Sequence, residues 1–143
     1  MYHIAICDDN DKFIAYIEKI IKKVKDKEKY EIKFYEFSSG EELVRNMEGY
    51  IQYDLLILDM QLSGMDGDET AKCFREKFPD AVLVFCSGVR PPSIMSFKAT
   101  PFRYLLKSQT ERELIIEMHE ILAEVAKNSK ELYIIGHYRN NII

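Results

Sequence analysis

The chain has 143 residues, with 47% hydrophobic and 31% charged side chains, which suits one globular domain around a single core. A formal net charge of −4 offers no footprint for a phosphate backbone, so this segment itself is not expected to bind nucleic acid. No apolar run approaches a membrane span, and the start, MYHIAICDDN, lacks a basic stretch ahead of a long apolar one, so the expected setting is cytoplasmic.

Residues 2–7, YHIAIC, read as a first strand. A helix follows from about Asn10 to Lys27, with Phe13, Ile17, Ile20 and Val24 at helical spacing and lysines opposite. EIKFYEF at 31–37 alternates as a strand does. In SSGEEL, Ser38 with Glu41 and Ser39 with Glu42 both match a capping box, which predicts a short helix to about Glu48. DLLIL at 54–58 is a buried strand, a helix spans about Gly67 to Lys77, and AVLVFC at 81–86 is a central strand. Between Pro91, Pro92 and Pro101 the pattern allows one irregular helix, Ser93 to Lys98. RYLLK at 103–107 is the fifth strand, and a helix over about 109–127 carries Leu114, Ile115, Met118, Ile121, Leu122 and Val125 on one face.

Strands alternating with helices predict an α/β fold, a doubly wound five-stranded parallel sheet with helices on both faces. The domain is expected over residues 1–127. Beyond Asn128, KELYIIGHYRNNII reads as a strand-rich opening without a continuation, so 128–143 is expected to be a linker and the start of a second domain. The three cysteines show no CxxC or Cys/His ligand spacing; Cys7 and Cys86 in strands and Cys73 on a helix read as reduced, buried thiols, and zinc is not suggested.

In open parallel sheets, ligands bind outside the carboxyl ends of the strands. The strands deliver Asp8 and Asp9, then Asp59, then Ser87 with Gly88, and last Lys107 to that rim. Each has a bland reading. Asp59 would cap the next helix, the Asp8–Asp9 pair would complement a helix dipole, and Lys107 would lay its stem on apolar surface. Together they point to chemistry. Clustered carboxylates repel unless a cation joins them, and hard oxygen ligands without thiolate or imidazole favour Mg²⁺. A half-neutralised Asp59 then suits nucleophilic attack on phosphorus, with Lys107 as a second cation, the Ser87 hydroxyl as a donor and Gly88 leaving room.

These features together resemble the receiver domain of bacterial two-component response regulators, over residues 1–127. They are the acidic pair after strand one, an Asp-x-x-x-x-Gly-x-Asp-Gly run starting at Asp59, a hydroxyl after strand four and Tyr104-x-x-Lys107 in strand five. The resemblance implies a flavodoxin-like strand order 2-1-3-4-5. It implies that Asp59 takes a phosphoryl group from a histidine kinase's phosphohistidine, and that Asp8, Asp9, Asp59 and the Gln61 carbonyl bind Mg²⁺. It further implies that Lys107 pairs with the phosphoryl group while Ser87 and Tyr104 move. That would repack the face made by the fourth helix, fifth strand and fifth helix, a surface for homodimers. ELYIIGHYRNNII resembles the opening strand of a LytTR-type DNA-binding domain, which would place DNA contact in a C-terminal domain and make the whole a transcription regulator.

Two departures stand out. Leu62 and Ser63 replace the usual Met-Pro after the acceptor, which predicts a less rigid loop, and Ser108 replaces the proline that usually follows the lysine through a cis bond. A cis bond before serine costs about 3–4 kcal/mol, so either the bond is trans and the lysine is aimed differently, or strain is retained; Ser108 also matches a capping box with Glu111. Gln61 and Val89 are candidates for tuning the lifetime of the phosphorylated form. The competing readings are a pseudo-receiver that binds partners without phosphorylation, and a Mg²⁺-dependent phosphohydrolase whose Asp-x-Asp would be Asp9-Asn10-Asp11. The residues after that run, Lys12 and Phe13, do not supply such an enzyme's usual turn.

Overall fold

A computed structural model describes residues 1–25, 30–88 and 94–142, with the backbone alone for 130–142. In chain order the elements are β1 (Tyr2–Cys7), α1 (Asp11–Lys25), β2 (Ile32–Phe37), α2 (Gly40–Asn46), β3 (Leu55–Asp59), α3 (Gly67–Lys77), β4 (Val82–Ser87), α4 (Ile94–Lys98), β5 (Arg103–Leu106) and α5 (Glu111–Ile142). The strands form one sheet in the order β2-β1-β3-β4-β5, and every pair is parallel. Lys27, Val89, Pro91, Pro92 and Ser93 lie outside the described residues.

Side-chain parity along each strand assigns the two faces. Ile4, Ile6, Leu55, Ile57, Val82, Val84 and Cys86 point to one cluster, closed by Ile14, Ile17, Ile20 and Ile21 of α1 and Leu114, Met118 and Ile121 of α5. Ala5, Cys7, Leu56, Leu58, Leu83 and Phe85 point to the other, closed by Leu43 of α2 and Ala71 and Phe74 of α3. Strands β3 and β4 are buried at every position, which is why they read as unbroken apolar runs. Cys7 and Cys86 thus lie on opposite faces. Burial pushes both thiols up to about 12, so they stay protonated and inert.

The helix starts differ from the predicted capping in an informative way. For α2, Ser39 is the N-cap and accepts from the Glu42 N–H at 3.1 Å, while Glu42 reaches back to the N–H and hydroxyl of Ser38. The Ser38–Glu41 box does not form, because Glu41 turns to the Met65 N–H instead. Ser108 does not cap α5 either; Thr110 does, accepting from the Glu113 N–H at 3.2 Å.

The segment read as a strand-rich opening is helical: α5 runs without a break to Ile142. Branched and aromatic side chains such as Tyr133, Ile134 and Ile135 favour a strand only where a neighbouring strand takes their backbone hydrogen bonds. No proline interrupts the chain after Asn128, so the backbone satisfies itself by continuing the helix.

At the opposite end of the sheet from the acidic rim, Arg75 fastens three segments together. Its guanidinium donates to the carbonyls of Ala99 (2.7 Å), Phe78 (3.2 Å), Pro79 (3.0 Å), Ala81 (2.6 Å) and Thr100 (3.2 Å). Thr100 adopts φ 50°, a left-handed conformation that costs a β-branched residue about 1–2 kcal/mol and that these bonds help hold. Arg75→Met should therefore cost about 2–3 kcal/mol in urea unfolding, with Arg75→Lys recovering little, since an ammonium cannot span five acceptors.

A second expectation concerns α1 and β2. Burial, then a hydrogen bond with Glu36 and its charge, push the Glu18 carboxyl up to about 7, against a weaker pull from Lys22. A carboxyl raised on folding stabilises fully below its unfolded pKa, and that contribution is lost as pH rises through the folded value. Stability should fall between about pH 4.5 and 7, and Glu18→Gln should flatten that part of a urea-midpoint profile.

Candidate functional site

Asp8 and Asp9 are the first residues beyond β1, and the Asp8 N–H donates to Phe37 O at 2.9 Å. The Asp8 side chain then turns inward: Oδ1 accepts from the Asn10 N–H at 2.8 Å. Asn10, in turn, caps α1 by accepting from the N–H groups of Lys12 and Phe13. The cap is therefore Asn10, and the acidic pair is not consumed by it. Likewise α3 is capped by Asp66, whose Oδ1 accepts from Glu69 at 2.9 Å, so Asp59 is not a helix cap.

Asp59 ends β3 opposite Cys86, one residue before Ser87 closes β4. Asp8 (2% exposed), Asp59 (4%) and Ser87 (0%) are buried, and Asp9 is exposed. Carboxylate oxygens of Asp8, Asp9 and Asp59 lie within 4.8 Å of one another. Lys107 Nζ reaches between two of them, 2.7 Å from Asp8 Oδ2 and 3.2 Å from Asp59 Oδ2. No described peptide bond is cis, so Lys107 arrives there through a trans bond to Ser108.

The electrostatics follow from burial. Asp59 titrates above the ordinary carboxylate range because burial penalises its charge. The charge of Asp8 pushes the same way, while the Gln61 N–H at 3.0 Å from Oδ1 and the Lys107 ammonium pull it down. For Lys107, burial works against the charge, but its pairs with Asp8 and Asp59 more than offset this and raise its pKa. Asp8 Oδ2 is buried, and its 2.7 Å ion pair with Lys107 is not aligned as a hydrogen bond, so the oxygen retains unused acceptor capacity.

The loop after Asp59 is tied down without a proline. Glu41 of α2 accepts from the Met65 N–H, next to Gly64, whose φ of 78° favours glycine. Gly67 lets α3 start against the site: a Cβ there would fall 2.7 Å from Met60 Cα and 3.0 Å from Asp59 O. A Cβ at Gly88 would meet only Gln61 Oε1, at 3.9 Å, so among the described residues no protein atom crowds that position. Tyr104 is half-buried and packs its ring 6.0 Å from that of Phe85. Two contacts had no clear signal in the sequence. Glu41 acts across space on a loop 24 residues away, and Phe13, placed among core residues by its spacing, sets its ring 4.5 Å from Lys107 Nζ.

Hard carboxylate oxygens on one side, one of them buried and, among the described residues, paired with Lys107 alone, fit a small divalent cation better than a soft metal. Asp11, the second acid of the Asp-x-Asp run, is exposed in the first turn of α1 and lies outside this cluster.

The strand order and the helices on both faces define a flavodoxin-like receiver architecture. Residues 4–119 match the family model of the response regulator receiver domain, and the chain belongs to that family. It is 26% identical over 128 residues to the transcriptional regulatory protein ResD of Bacillus subtilis (strain 168), covering 88% of this chain and 50% of ResD. The chain thus spans about half the length of that curated relative. Among solved structures, it resembles the N-terminal domain of a response regulator/sensory box/GGDEF 3-domain protein from Carboxydothermus hydrogenoformans. There the TM-score is 0.68 and the identity 28%, covering 87% of this chain and 98% of the other. A CheY-like receiver domain protein from Methanospirillum hungatei JF-1 gives a TM-score of 0.72 at 21% identity, over 92% and 98% of the two chains, a likeness of fold.

Proposed function

We propose that this receiver domain is a phosphorylation switch in which Asp59 accepts a phosphoryl group from a sensor histidine kinase. The observation that carries this reading is the ion pairing of Lys107 with both Asp8 and Asp59 beside a third carboxylate. Asp59 Oδ2 is the nucleophile; its attack forms an acyl phosphate and breaks the phosphorus–nitrogen bond to the kinase phosphohistidine, whose other ring nitrogen carries a proton, so that the ring leaves as neutral imidazole. Asp8, Asp9, Asp59 and the Gln61 carbonyl would hold Mg²⁺. When bound, that ion would supply neutralisation of the phosphoryl oxygens' charge. Lys107 and the Ser87 hydroxyl orient those oxygens from the protein side. The domain catalyses only its own phosphorylation and dephosphorylation, in a cytoplasmic setting; among the described residues, no helix is long and apolar enough to cross a membrane.

The output follows from packing. A phosphoryl group drawing on Ser87 and Lys107 would bias β4 and β5, and the half-buried Tyr104 sits on β5 opposite Phe85 of β4. Leu106 (43% exposed), Ile116 (54%), Ile94 (81%) and Phe97 (62%) leave apolar surface on α4, β5 and α5, which supports that face as a homodimer contact. The ResD name supports transcriptional control, for which a C-terminal DNA-binding domain would be the output. A LytTR type rests only on the sequence of the tail, whose backbone here is helical.

The test is incubation with Mg²⁺ and acetyl phosphate, then peptide mapping of the acyl phosphate by mass spectrometry. Label on Asp59 is expected. Label on Asp9 would favour the phosphohydrolase, and a folded protein without label would favour the pseudo-receiver.

A further inference from the structure

Lys107 sits on a well-fixed backbone. Its N–H donates to Ser87 O at 2.8 Å, and the adjoining turn is closed by Leu106 N–H to Gln109 Oε1 (2.8 Å) and Gln109 N–H to Leu106 O (3.1 Å). The four-carbon stem beyond it is flexible, so something must fix the ammonium. Three anchors do so: Asp8, Asp59, and the face of the Phe13 ring, 4.5 Å away. The carboxylates hold Lys107 only while they are ionised and not shared with another cation or esterified by a phosphoryl group. The ring's attraction is that of a quadrupole and does not depend on those changes.

We propose that Phe13 is a positioning residue for Lys107, its ring face keeping the ammonium at the phosphoryl-acceptor oxygen when the carboxylates change partners. The ring is itself well placed. The Phe13 N–H lies 3.1 Å from Asn10 O and 3.2 Å from Asn10 Oδ1, and Asn10 is the residue whose own N–H binds Asp8. Phe13 and Asp8 are therefore set by one network at the start of α1. The ring is half-buried against the α1–α5 core, with the Tyr16 ring 6.3 Å away. Packing alone would be served as well by leucine; only a cation above it requires an aromatic face. Two other lysines lie over rings, Lys22 at 5.7 Å from Phe34 and Lys33 at 5.5 Å from Tyr35, but both are exposed, where such contacts contribute little. The Lys107 side chain is only 22% exposed.

This inference rests on Asp59 being the acceptor, and two measurements keep the two claims separate. In the metal-free protein, the Lys107 Cε protons should resonate upfield of ordinary lysines because they lie over the ring, and Phe13→Leu should return them to the usual position. Identical Lys107 shifts in both proteins would overturn the proposal. In Mg²⁺ and acetyl phosphate, Phe13→Leu should slow labelling of Asp59 about three- to tenfold, with Phe13→Tyr within about twofold of the parent. Fluorinated phenylalanines at position 13, which keep the shape and drain the ring face, should slow labelling stepwise. Equal rates across the fluorinated series would show that Phe13 only packs. If the parent protein takes no label at Asp59, the receiver reading fails, and the resonance position still decides whether Phe13 holds Lys107.

Discussion

Asp59→Asn should abolish labelling by acetyl phosphate and leave the domain folded, with stability at pH 7 unchanged or raised by about 1 kcal/mol. The loss of labelling follows because an amide is no nucleophile toward phosphorus and no other carboxylate occupies the end of β3. The stability effect follows from the sign of the shift. Burial first, and Asp8 after it, raise the Asp59 pKa on folding. A raised carboxyl stabilises the fold in acid, below its unfolded pKa, and that contribution is lost as pH climbs through the folded value. At neutral pH the ionised group is thus a burden, and Asn removes it while Lys107 keeps its 2.7 Å partner in Asp8. The gain should shrink in acid, where Asp59 takes up its proton in the folded state before it does in the unfolded one. Urea unfolding at pH 7 and pH 4 checks this, and a loss above about 2 kcal/mol at pH 7 would show that the charge is a net support of the fold.

Lys107→Met has the opposite thermodynamic sign and a large functional effect. Removing the cation leaves two buried carboxylates facing each other, and breaking a buried pair is costly. Because the site opens to solvent at Asp9, the expected loss is about 2 kcal/mol at pH 7 without divalent ions, below that of a fully enclosed pair. Lys107 has a raised pKa, so its contribution is fully present below the unfolded lysine value and is lost as pH rises through the folded one; at pH 7 all of it is at stake. The deficit should shrink in acid as the carboxylates take up protons. Adding Mg²⁺ should restore more stability to the variant than to the parent, since the ion supplies the missing positive charge. Labelling should slow by about 100-fold, the scale for removing one donor to a developing transition-state charge. Rates within about threefold of the parent would remove Lys107 from the chemistry.

Much of this architecture was legible in the residues because each strand carries its face assignment in its parity. Leu55 and Ile57 against Leu56 and Leu58 could fill two cores only in a sheet covered on both sides. The rim was legible too, since Asp8, Asp59, Ser87 and Lys107 each fall within a residue of a strand's carboxyl end. What stayed hidden was competition between equivalent local choices. Ser38 and Ser39 both offer a cap with a glutamate three residues on, and which box forms depends on Glu41 finding Met65, a contact made only once α2 and the loop after β3 have packed. Thr110 rather than Ser108 caps α5 because the chain first makes the turn that Gln109 closes. The tail was ambiguous for another reason. Its branched residues suit either a strand with neighbours or a continued helix, and helix bonds need no partner strand.

Lys107 also shows how a missing residue can mislead. The absence of a proline after it suggested a lysine aimed elsewhere, yet through a trans bond its stem still spans to both carboxylates. The Leu62–Ser63 pair suggested a loose loop, whereas Glu41 supplies from α2 a restraint that a proline would have supplied from within.

The most direct measurement is diffraction from crystals soaked in Mn²⁺, recorded at the manganese absorption edge. An anomalous peak within coordination distance of Asp8, Asp9 and Asp59 together is the result expected if the acidic rim shares a divalent ion. A saturating soak that leaves no peak among those oxygens, or finds them turned outward to separate solvent sites, would contradict it.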